Sequence, residues 1–313
     1  MHYRWYSVAV VALWLTTMGW LVVKKVLPAF RIGTPPSYDE IVKDQISAPP
    51  VGWRMYSQGG AQLGWALTDT KPQATQLNEI RGRVHFDMPL EAMMPGLLQS
   101  LVRYLQKPSE NLRIDARSVL TIDPLGRLVR FDSAVRLDPF HETIGLKGVV
   151  EEGRKLQLEV RIGNRPIETP KEIELPSDAL LTDILSPQTR LPGLRLNQTW
   201  TVPVYSPFMP DKPLEIIHAT VERMEPYTWN GPTENVWYVV YRGDAGIAVG
   251  GEPPVRGEVW VRRDGVVLQQ KVMLFDAALL FVRMTDEEAA RLARRAGPRW
   301  WSLGNELQER NDD

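Results

Sequence analysis

The sequence predicts a mainly antiparallel β protein with a few short helices, carried behind a single N-terminal transmembrane helix. Three stretches carry that prediction. In Gly257–Leu274, two alternating runs meet at Asp264-Gly265, residues that tolerate the positive φ of a two-residue hairpin turn. Pairing across such a turn sets Val261 opposite Leu268, Val259 opposite Gln270 and Glu258 opposite Lys271. Val259, Val261, Val266, Leu268 and Val272 then share a dry face. A second unit, Ser118–Phe131, turns at Pro124 and Gly126, with Leu120 and Ile122 facing Phe131 and Val129. The third stretch, Trp5–Val23, has nineteen residues without a charge, which matches a hydrocarbon core of ~30 Å at ~1.5 Å per residue.

Residues 1–27 are expected to be an uncleaved anchor. Trp5, Tyr6 and Trp20 lie near the ends of the run, Arg4, Lys24 and Lys25 bracket it, and no small-x-small cleavage site follows. The implied partner is a lipid bilayer, contacted through Trp5–Val23. Flanking Lys24, Lys25 and Arg31 favour a cytoplasmic body under the positive-inside rule. A β-rich body on one anchor is nonetheless a common plan in the bacterial envelope, and the expected location is the inner membrane with a periplasmic body. Residues 28–51 are rich in Pro and polar groups and read as a linker.

Residues 52–185 form the first expected β lobe. Strands are expected at Trp65–Thr68, Glu79–Phe86, Gly148–Val150, Leu156–Ile162 and Ile167–Leu175. A helix interrupts them at 96–107, where Leu97, Leu98, Leu101, Val102 and Leu105 recur at helical spacing between Pro95 and Pro108. Its apolar face must lie on a sheet. Met93 and Met94 precede it as flexible apolar groups suited to an irregular core or to an accommodating ligand surface. Those seven residues are the candidate ligand-binding set. Ser177 is placed to cap a short helix running up to Pro187.

Residues 186–284 form the second expected lobe, with Ser186–Asn197 as the joint before it. Strands follow at Trp200–Tyr205, Leu214–Met224, Val236–Tyr241, the hairpin above and Leu279–Met284, and Pro203 marks an edge or bulged strand. In residues 285–313, Thr285 and Glu288 make a capping box for a C-terminal helix, which leads through several arginines to Trp300-Trp301 and a tail.

Composition narrows the function classes. A net charge of −1 with scattered arginines gives no field for nucleic acid, and zero cysteines exclude thiolate metal sites and cysteine nucleophiles. His2, His85, His141 and His218 are far apart, and His141-Glu142 lacks the second histidine of a zinc helix. No nucleophile elbow, phosphate loop or dinucleotide fingerprint occurs. No catalytic residue, metal or cofactor is therefore assigned, and an uncharacterised hydrolase ranks third among the readings.

The pattern Leu194–Tyr205, Ile216–Met224, Val236–Gly243 and Gly257–Gln270 resembles uncharacterised bacterial envelope proteins with a curved, half-barrel sheet, an architecture similar to the periplasmic lipoprotein-carrier group. The resemblance implies one or two curved half-barrel-like sheets and a lipid or acyl chain held in a concavity. Two readings lead: an amphiphile holder, and a non-catalytic scaffold for an envelope protein partner.

Overall fold

A computed structural model describes residues 2–21, 49–73, 77–89, 111–124, 127–138, 142–151, 155–163, 165–166, 171–174, 182–183, 186–205, 214–243, 253–274 and 277–297. Two helices, α1 (His2–Leu21) and α2 (Asp286–Ala296), flank the strands. The first nine are β1 (Val51–Ser57), β2 (Gln62–Pro72), β3 (Asn78–Pro89), β4 (Asn111–Ile122), β5 (Leu128–Asp138), β6 (Glu142–Glu151), β7 (Lys155–Ile162), β8 (Arg165–Pro166) and β9 (Lys171–Glu174). The remainder are β10 (Thr182–Asp183), β11 (Thr199–Tyr205), β12 (Leu214–Thr228), β13 (Thr233–Arg242), β14 (Val255–Val261), β15 (Val267–Leu274) and β16 (Ala277–Arg283).

All of them belong to one open sheet, almost wholly antiparallel, in the order β10-β11-β12-β13-β14-β15-β16-β1-β2-β3-β4-β5-β6-β7-β8, with β9 also on β7. The first and last long strands meet in its middle, where Trp53 pairs with Arg283 and Met55 with Phe281. The sequence allowed one or two sheets; the described strands form one.

Chain reach shows how strongly this sheet curves. Asp183 pairs with Tyr205 on β11, and three residues later the Ser186 hydroxyl is 3.3 Å from that of Ser118 on β4. Three residues span at most ~10 Å. In a flat sheet β11 and β4, nine strand steps apart in the order above, would be separated by roughly 43 Å at ~4.8 Å per step. Only a sheet curled on itself brings them within reach.

Both expected hairpins form, each with a local correction. Glu258 pairs with Lys271 and Val259 with Gln270 as expected, but the register shifts after Trp260, so that Val261 faces Val267. The turn is longer than two residues. Gly265 N–H donates to the Arg262 carbonyl, Arg262 N–H donates to the Val266 carbonyl, and Gly265 alone takes a positive φ, of 86°. This is a three-residue loop with a glycine bulge, in which Asp264 keeps an ordinary backbone and uses its carboxylate to accept from Val266 N–H at 3.1 Å. In the other hairpin Leu120 faces Phe131, but a shift after Thr121 pairs Ile122 with Leu128 instead of Val129.

The short helix expected after Ser177 does not extend over Thr182–Asp183, which is a strand lying parallel to β11; residues 175–181 lie outside the described residues. At the other terminus, α2 has the expected capping box, with Glu288 N–H on the Thr285 hydroxyl and the Glu288 carboxylate on Thr285 N–H. It packs on β1. A Cβ on Gly52 would come within 2.9 Å of Ala289 Cβ, so the glycine sets the approach, and Arg54 pairs with Glu288 beside it. In α1, every side chain from Val10 to Trp20 is exposed, so the body covers none of that apolar stretch. Among the described residues no helix is long and apolar enough to cross a membrane, and Val22 and Val23 of the expected span lie outside them.

Candidate functional site

Alternation along the strands builds a continuous apolar inner face. Val239 stands beside Val259, Leu279 beside Val272, Phe281 beside Met55, Ala66 between Trp53 and Val84, and Phe86 beside Ile114. These residues form one buried core that runs through Ala116 and Val135 to β5. Their period of two along each strand is what a sheet with one dry face requires.

Much of this face is filled by the chain itself. The segment 186–194, expected as a joint, runs across the inner face as a strap. Its first contact lies on a row of small residues, Thr68, Gly82, Ser118 and Ser133, which stand opposite one another on β2 to β5. A Cβ on Gly82 would meet Ser118 Oγ at 2.7 Å and Ser186 Oγ at 2.9 Å, so the notch exists because the residue is glycine. Gln188 next accepts from Tyr241 O–H at 2.7 Å, while its N–H donates to Gln270 Oε1 at 2.8 Å. Thr189 C=O accepts from Val267 N–H, and Leu191 N–H donates to Gly265 C=O. Leu191 and Leu194 end the strap in the core, at 2 % and 9 % exposure. The polar residues that interrupt the dry face of β13 and β15, Tyr241 and Gln270, therefore serve the strap.

Beyond the notch, β4 to β7 carry a second apolar cluster. Phe131, Leu146, Leu156 and Leu158 are buried, and Leu120, Leu128, Val150 and Val160 pack round them half-exposed. Gly148 leaves room for the Phe131 ring, since a Cβ there would fall 2.1 Å from a ring carbon. Partly buried apolar side chains also border the main core at Val51, Val204 and Trp237, but on this strip four of them stand together round a small cluster.

The outer face carries buried apolar side chains such as Leu67 and Val240 and, among them, two polar groups with paired side chains. At its centre Arg83 donates to Asp115 Oδ2 at 2.6 Å, with both side chains almost fully buried, and Arg136 reaches the same oxygen at 3.5 Å. The Trp65 ring lies 5.6 Å from the Arg83 guanidinium and 5.7 Å from the His85 ring. Burial brings Arg83 down to about 10 against the opposing pull of Asp115, and it lowers His85 as well. The Asp115 carboxylate, shared between Arg83 and Arg136, forms a buried ion pair that ties β3, β4 and β5 together. A second polar group lies on β12 to β15, where Tyr227 O–H donates to Gln269, Tyr238 O–H to Glu258 and Trp260 N–H to Glu225. Burial and the Glu258 hydrogen bond raise Tyr238 to about 12. Among the described residues no three histidine, aspartate or glutamate side chains converge as for a metal.

The candidate residues Met93, Met94, Leu97, Leu98, Leu101, Val102 and Leu105, together with His141, lie outside the described residues. His218 is on the surface. Sequence reasoning missed the strap and the strip. The strip did leave a signal in the alternation of Leu156, Leu158 and Val160 after Gly148-Val149-Val150, whereas the strap's contacts join residues 53 to 94 positions apart and leave no local pattern.

Fold and site together define an open, curled antiparallel sheet with a self-filled inner face and one partly open apolar strip. No known protein family and no curated protein matches the chain. Among solved structures it is similar to a β-barrel-like protein of the domain of unknown function DUF1849 from Brucella abortus, at 10 % identity and a TM-score of 0.47, over 77 % of this chain and 97 % of that one. The expected resemblance to lipoprotein carriers gains nothing from that likeness.

Proposed function

We propose that the chain is a membrane-tethered protein of the bacterial envelope that holds a lipid or other amphiphile against the inner face of β4 to β7. The observation that carries this reading is the unequal filling of that face. The strap covers the part that β13 to β16 and β3 contribute, while Leu120, Leu128, Val150 and Val160 are only partly buried on the rest. Apolar surface left open at a concavity is the usual setting for an apolar ligand. The tether is supported by α1, whose side chains from Val10 to Trp20 are exposed. A periplasmic body goes with this reading; a reporter fused after Asp313 that works only in the cytoplasm would reverse the orientation.

Native mass spectrometry of the full chain, released from neutral detergent, tests the ligand. Expected are lipid-mass adducts that survive activation and weaken in Val160→Thr, a near-isosteric change that makes the strip more polar while circular dichroism confirms that the sheet stays folded. Adduct-free spectra for the native chain, or adducts unchanged in the variant, would sink the reading and leave the scaffold in its place.

A further inference from the structure

Helix α2 presents three arginines that have no ion-pair partner among the described residues. Arginines of the strands commonly hold a carboxylate, as Arg81 holds Glu79, Arg223 Glu225 and Arg256 Glu215. Arg291, Arg294 and Arg295 are exposed, and among the described residues none of them has a side-chain hydrogen bond or an ion pair. Their spacing of three and four residues sets them side by side on the helix, away from the buried Ala289 and Ala296. The acids of α2 do not cancel them. Asp286, Glu287 and Glu288 all lie in the first turn, where Glu288 is taken by Arg54 and Asp286 acts on the charge of Arg283. Three exposed cations thus stand against two exposed acids, Asp286 and Glu287, at the other end of the helix.

The helix dipole is one reason for cations in a last turn. It does not reach past Gly297, which ends the helix, yet the sequence continues with Arg299-Trp300-Trp301 and has no acid before Glu306. Arginine beside tryptophan suits the headgroup layer of a membrane, the guanidinium for phosphate oxygens and the indole for the boundary with the acyl chains. Position supplies an independent observation. α2 lies on β1 where the chain enters the body: Ala289 packs on Gly52, and Met284 N–H donates to the Gly52 carbonyl at 2.8 Å. Residues 28–51 join that point to the anchor and reach at most roughly 80 Å. The arginine face is therefore at the tethered end of the body, within reach of the bilayer.

We propose that Arg291, Arg294 and Arg295 dock the body onto the anionic headgroups of the bilayer that holds α1. This rests on the tether proposed above and not on the amphiphile strip. The arginines supply the charge, and the chain that follows them supplies the aromatic groups.

The sequence has no cysteine, so Ala290→Cys, half-exposed on α2, gives the full chain a single site for a donor dye. The labelled chain is reconstituted into vesicles of phosphatidylcholine, alone or with phosphatidylglycerol added, each carrying an acceptor dye on a trace of lipid headgroups. Flotation of the vesicles in high salt reports the tether separately. Expected is energy transfer roughly twofold higher with phosphatidylglycerol, the excess being lost in high salt and in Arg291→Gln/Arg294→Gln/Arg295→Gln and kept in Arg291→Lys/Arg294→Lys/Arg295→Lys. Equal transfer on both lipids, or an excess that survives in the glutamine variant, overturns the docking surface while the tether stands. A chain that floats with neither vesicle overturns both. One that floats only with phosphatidylglycerol, and no longer does so in the glutamine variant, keeps the surface and removes the tether.

Discussion

At the scale of single residues, burial by face decides what a substitution costs. Val261 is fully buried in the core, while its neighbour Arg262 points outward and pairs with Asp264. Val261→Asp puts a charge on the dry face with no partner, at a cost of several kcal/mol, whereas Arg262→Asp loses one exposed ion pair worth ~1 kcal/mol or less. In urea melts the first variant should lose far more stability than the second, and equal losses would mean that the faces are wrongly assigned. This contrast was legible in the sequence, since alternation alone puts Val259 and Val261 together. The register beyond Val261 was not, because Asp264-Gly265 fits a two-residue turn and a three-residue loop equally well. What separates them is the φ of Asp264, which its own hydrogen bond to Val266 N–H holds in the ordinary range. The buried Arg83–Asp115 pair was also hidden, since Arg, Asp and His alternating along β3 and β4 look like an ordinary solvated face.

At the scale of elements, strands were readable and the strap was not. Twelve of the described strands, β2 to β7 and β11 to β16, stand where alternation and turn residues put them, and α2 starts at its capping box. Segment 186–197 has two prolines and a glycine, the composition of a surface joint, yet its leucines divide between core and solvent. Leu191 and Leu194 are buried and Leu196 is 55 % exposed. Nothing in the spacing of three leucines in an irregular segment separates them, because no regular period links such a segment to a face. Leu191→Ala should therefore cost about 2–5 kcal/mol in a denaturant melt, as a buried leucine does, and Leu196→Ala close to nothing. Two small effects of the same size would mean that the strap only rests on the sheet, and the inner face of β13 to β16 would then be open to ligand as well.

At the scale of the molecule, the seam between β1 and β16 decides whether residues 52–185 and 186–284 are separate folding units. The sequence suggested two lobes because the hairpin at 118–131 and the hairpin at 257–274 repeat one habit. Strand β1 was overlooked because Val51–Ser57 follows directly on the proline-rich stretch and holds Gly52, Arg54 and Ser57 among its few apolar residues. Its partners on β2 are close by in the chain, but those on β16 lie more than two hundred positions away, a pairing that no local pattern reports. In the folded chain Trp53 and Met55 are fully buried, against Phe281 on one side and Ala66 and Gly64 on the other. Parting β1 from β16 would bare Trp53, Met55, Leu279 and Phe281, each worth ~1.5–3 kcal/mol of apolar burial, and would leave two long unpaired edges in the middle of an apolar face. Residues 1–185 and 186–313 made as separate chains should therefore aggregate or stay unfolded, and should recover strand circular dichroism and a cooperative melt only when produced together. The intact chain should melt its β-sheet in one transition. Two soluble fragments, each with its own melt, would show that the seam joins two units already stable alone and that the division at residue 186 is a domain boundary.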